Sequence, residues 1–115
     1  MIRWSFTALN TIELPLLSLW FVNLSGGKDS KPSEALHDLA EMRLKQLDGW
    51  LTNRQFIATE DFTVADILMT HVLDAGTPQE MLKLHPNLLA YRARCTERPA
   101  WKKTVDAYCE RVEAA

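Results

Sequence analysis

The sequence predicts an all-α fold, a bundle of about five main helices, and three observations carry that reading. Apolar residues recur at helical spacings along almost the whole chain, no segment alternates with period two over a useful length, and most Gly and Pro residues fall between the periodic runs. At 115 residues the chain fits one domain, residues 1–115, with enough interior for a core without metal or disulfide staples. Its 47% hydrophobic content argues against disorder.

The first helix is expected from Ile2 to Leu24, with Ile2, Phe6, Leu9, Ile12, Leu16 and Leu19 as one face and a kink at Pro15, which removes a backbone donor and crowds the preceding turn. Ser25–Ser33 holds Gly26, Gly27 and Pro32 and reads as a loop. Glu34 to about Asn53 forms a clean amphipathic helix with Leu36, Ala40, Leu44, Leu47 and Leu51 on its stripe. Gly49 inside it lowers helix propensity by about 1 kcal/mol and suggests a close packing contact.

Thr63 opens the next helix. In Phe62-Thr63-Val64-Ala65-Asp66-Ile67, Thr63 takes the N-cap and Asp66 the third helical position of a reciprocal capping box, with Phe62 and Ile67 placed for a hydrophobic staple. This helix, to about Ala75, is apolar around most of its circumference and is expected to run through the interior. Gly76 ends it. Thr77-Pro78 starts a short turn of helix, and Pro86-Asn87 starts another that runs to about Glu97. Pro99 opens the last, with an expected inner face of Trp101, Val105, Tyr108 and Val112.

Composition excludes several classes of function. Thirteen Lys and Arg against fifteen Asp and Glu give a net charge of −2, a poor footprint for nucleic acid or an acidic membrane. The charge-free run from Leu14 up to the charge at Lys28 is shorter than the ~20 apolar residues a bilayer requires, so no membrane helix is expected, and the apolar start has no cleavage site of the export type. Cys95 and Cys109 lack the spacing of a metal or redox pair and read as free packing thiols in a reducing compartment. No phosphate loop, HExxH, GxSxG or acidic metal loop is present. His37 and Glu41 share a helix face, but two ligands do not make a metal site. His71, one turn before Asp74, reads as a core histidine bonded to a neighbour. The residues alone offer neither a catalytic nor a metal centre.

The box, followed by Pro86-Asn87-Leu88-Leu89-Ala90-Tyr91 and then Arg98-Pro99-Ala100-Trp101, resembles the C-terminal helical domain of glutathione transferases. The resemblance runs through nearly the whole chain in order and spacing, more loosely over Trp4–Pro15. It implies that the box starts the central core helix and that the other two elements start the last two helices. It further implies a thioredoxin-like N-terminal domain as partner, the domain that supplies most of the glutathione site and the thiol-activating residue. Glutathione would then be a co-substrate, with no cofactor expected. The helical domain would wall the pocket for a hydrophobic small-molecule electrophile and contribute to a homodimer, in a cytoplasmic protein.

Two features of the residues agree with a missing partner. The apolar coverage of the first helix is wider than one packed stripe needs, and surplus apolar area marks interfaces. One helical line through it, Arg3, Phe6, Asn10, Glu13 and Leu17, mixes polar and apolar groups as ligand pockets do. By resemblance this line flanks the glutathione cleft, Glu13 falling near an acidic residue that some bacterial members place against glutathione. Plain packing for Phe6 and a solvated surface position for Glu13 are the alternatives. A rival function from another class is a stand-alone helical interaction module, of the kind found in translation elongation factor and aminoacyl-tRNA synthetase assemblies.

Overall fold

The computed structural model describes residues 2–114, and among them every regular element is helical. Six helices follow one another: α1 (Ile2–Gly27), α2 (Lys31–Trp50), α3 (Val64–Ala75), α4 (Gln79–Leu82), α5 (Pro86–Thr96) and α6 (Pro99–Ala114). Five are long and one is a single turn, as the periodicity predicts.

Pro15 acts on α1 differently from a simple kink. It cannot donate to the Thr11 carbonyl, and its ring would crowd that turn. The helix instead widens before it, with a π-type stretch over Thr7–Ile12 in which the Glu13 N–H reaches back five residues to the Ala8 carbonyl. Widening a turn shifts the phase of everything on either side of it. The buried line is therefore Ala8, Ile12, Leu16 and Leu19, continued by half-buried Trp4. Ile2, Phe6 and Leu9, expected on the inner face, are exposed. The 26-residue helix is also longer than the charge-free run and, by length and composition, could cross a membrane, contrary to the expectation; here its inner line is packed against α2 and α3.

A second π-type stretch at Asn23–Gly27 ends α1, with Gly26 in the left-handed region at φ 86°. Gly27 leaves no space for a side chain, since a Cβ there would stand 2.8 Å from the Val22 side chain and 2.9 Å from its carbonyl oxygen. The loop is shorter than expected because α2 starts at Lys31. Ser30 caps it, accepting the Ser33 N–H at 3.3 Å, and Pro32 sits in the first turn, where a missing donor is harmless. Leu51 closes α2, and Asn53 takes a positive φ of 63°. Gly49 fills no tight contact, as nothing lies within 4 Å of its Cβ position.

The core gathers Ala40, Leu44, Leu47 and Leu51 of the predicted stripe with Ala65, Met69, Val72 and Leu73 of α3 and Leu88, Tyr91 and Cys95 of α5. Packing runs α1 on α2 and α3, then α5 on both α2 and α3, while α6 meets the end of α5. The result is flat. Its extents are 41 × 41 × 25 Å with a radius of gyration of 14.9 Å, against about 13.4 Å for a compact chain of this length.

Candidate functional site: an open groove braced by a buried carboxylate

The N-terminus of α3 organises the centre of the molecule. Thr63 and Asp66 form the predicted capping box. Its Asp66 arm is short, the Thr63 N–H donating to Oδ2 at 2.9 Å. The Thr63 arm is looser, because the Asp66 N–H has its 3.0 Å bond with the Thr63 carbonyl. Asp66 is also wholly buried and does more than cap. Its Oδ1 accepts the Ile57 N–H at 2.9 Å and the Tyr91 hydroxyl at 2.7 Å. One carboxylate thus ties the start of α3 to the preceding loop and to α5, and three short hydrogen bonds, with a longer one from the Thr63 hydroxyl at 3.5 Å, satisfy a group whose unpaired burial would be costly.

Neighbouring groups respond to this site. Burial first, and then the Asp66 carboxylate, push the Tyr91 hydroxyl well above the ordinary tyrosine range, so it stays a donor. Burial likewise raises the Cys95 thiol, with hydrogen bonding from Thr70 opposing. Cys95 is therefore an inert packing thiol, as expected, whereas Cys109 is exposed on α6. Further bonds hold the loop between α2 and α3 as a rigid piece. The Trp50 indole N–H donates to the Ile57 carbonyl at 2.8 Å, and the Arg94 guanidinium donates to the carbonyls of Arg54 and Gln55.

On the outer side of this frame residues of α3 and α6 line a groove of about 510 Å³. Phe62, Ile67, Leu68, Trp101, Val105 and Tyr108 supply its apolar walls, and Arg98, His71 and Thr104 its polar groups. Phe62 is fixed from both sides, edge-on to Phe56 at 5.7 Å and under the Arg98 guanidinium at 3.7 Å. The staple positions Phe62 and Ile67 thus both line this groove.

Three expectations change here. The central helix is not enclosed, since Val64 and Ile67 are 46% and 45% exposed. The last helix has its predicted apolar face, but nothing among the described residues covers it: Val105, Tyr108 and Val112 are 40%, 67% and 56% exposed. His71 is exposed at the groove rather than buried in the core. All three share one circumstance, which is that among the described residues no element packs over this side of α3 and α6. The buried histidine is His85, whose Nε2 lies 2.6 Å from Glu41 Oε1 and so joins the α4–α5 connection to α2. His37 pairs instead with Asp38 at 3.8 Å.

Arg3, Phe6 and Asn10 project from α1 as exposed residues and Glu13 is half-buried. None of the four lines the groove. Sequence reasoning missed Ile57 and Tyr91 as partners of Asp66. It also missed Arg98, whose visible signal was its place beside Pro99 at the start of α6. Among the described residues, no three His, Cys, Asp or Glu side chains gather where a metal ion could be held.

Comparison with known proteins places this architecture. No curated protein matches the chain in sequence. The family described as glutathione S-transferase, C-terminal domain, matches residues 9–99, a span that contains the capping box, the buried carboxylate with its donors, and the α3 wall of the groove. On that match, the chain belongs to the glutathione S-transferase C-terminal domain family.

Proposed function

We propose that this chain is the helical half of a glutathione transferase-like protein and acts when joined to a thioredoxin-like N-terminal domain. The observation that carries the reading is the groove between α3 and α6, an apolar surface framed by fixed side chains and open along its length. In this reading the N-terminal domain seats against the groove and supplies the group that lowers the thiol pKa of glutathione. The helical domain holds the hydrophobic electrophile beside the thiolate, and the gain in rate comes from proximity. The reaction joins the glutathione sulfur to an electrophilic carbon. Arg3, Phe6, Asn10 and Glu13 face the glutathione cleft across the domain boundary, and none of this chain's residues activates the thiol.

The outer face of α1, where Leu14, Leu17, Trp20 and Phe21 are each about half exposed, meets a second copy in a homodimer. Free thiols at Cys95 and Cys109 suit a reducing, cytoplasmic setting. The open groove also favours the second reading, a stand-alone module that docks a protein partner there.

Three measurements test these statements. The coding sequence upstream of Met1 should continue in frame into a thioredoxin-like segment; a stop codon preceded by no such segment favours the interaction module. Calorimetric titration of the isolated chain with glutathione should give no heat of binding, and micromolar affinity overturns the assignment of that site to the other domain. Sedimentation of the isolated chain at high concentration should show self-association, and a strictly monomeric profile removes the homodimer.

A further inference from the structure

We draw no further inference here: the strongest candidate, the apolar groove between α3 and α6 with Arg98 and His71 on its lining, belongs to the site already described, and nothing in the structure shows what covers it.

Discussion

Replacing Asp66 by Ala separates a local cap from a structural hub. Losing an N-cap interaction alone costs ~1 kcal/mol, up to about 2. Here the same side chain accepts three short hydrogen bonds, from the N–H groups of Ile57 and Thr63 and from the Tyr91 hydroxyl. Alanine reaches none of them. Ile57 and Tyr91 are wholly buried, so water does not replace the lost acceptor without opening the core. Each buried donor left unsatisfied costs ~1–3 kcal/mol. The Thr63 donor is closer to solvent and belongs at the low end of that range. Relief from burying a carboxylate recovers part of the total. The expected net loss is about 4 kcal/mol, a large share of the ~5–15 kcal/mol available to a domain.

Urea unfolding followed by helical circular dichroism measures this loss directly. Tyr91→Phe should cost only about 1 kcal/mol, because one donor disappears while Asp66 keeps those of Ile57 and Thr63. Combining the two substitutions should cost less than their sum, since Asp66→Ala no longer orphans a hydroxyl. An Asp66→Ala loss near 1 kcal/mol, with strictly additive double-mutant energies, refutes the hub and leaves only the cap.

Other perturbations test the remaining links. Raised folded-state pKa values at Tyr91 and Cys95 mean that the unfolded chain releases protons first, above the ordinary values of 10.0 and 9.0. Stability therefore falls as pH rises past about 9, and Tyr91→Phe should flatten the steeper part of the fall in urea midpoints between pH 9 and 11. Gly49→Ala should raise stability by ~0.5–1 kcal/mol, because the site is helical and open; a lower thermal midpoint contradicts the reading of open space. Asp48→Ala should lower it by ~1–2 kcal/mol, because Oδ1 accepts the first N–H groups of α5, Asn87 at 2.9 Å and Leu88 at 3.1 Å. Unchanged amide exchange at the start of α5 in that variant argues against the cap.

What could be read from the chain was local, and what could not was set across distance. The capping box lies within three residues, the α2 stripe within one helix, and the Pro and Gly punctuation within single turns, so each is legible. Ile57 and Tyr91 lie 9 and 25 residues from Asp66, and Asp48 caps a helix 39 residues on. No periodicity encodes such pairings. The one sequence-level hint is Asp66 itself, a short acid where Glu or Gln is commoner in a capping box, consistent with a carboxylate whose partners all stand close by. The α1 face was misread because a single proline changed the local helix type, and a constant period cannot represent that change. The face of α6 was identified correctly while its burial was not, because apolar periodicity marks a side of a helix and does not say whether another element packs on it.

The buried carboxylate and the open groove are parts of one device. Asp66 fixes Ile57, whose carbonyl receives the Trp50 indole N–H, and so sets the loop that carries Phe56 and Phe62. Phe62 in turn is the surface on which Arg98 rests, at the entry to α6. The walls of the groove are therefore positioned from inside the domain. A preformed surface orders few side chains on docking and so loses little conformational entropy, which leaves more of the buried apolar area to favour association. The open face can then persist in the separated chain with its geometry intact. If a thioredoxin-like domain seats there as proposed, Asp66→Ala should weaken its docking as well as stability, whereas Val105→Asp, at a groove position outside the capping box and staple, should weaken docking and leave the unfolding free energy within about 1 kcal/mol of the parent.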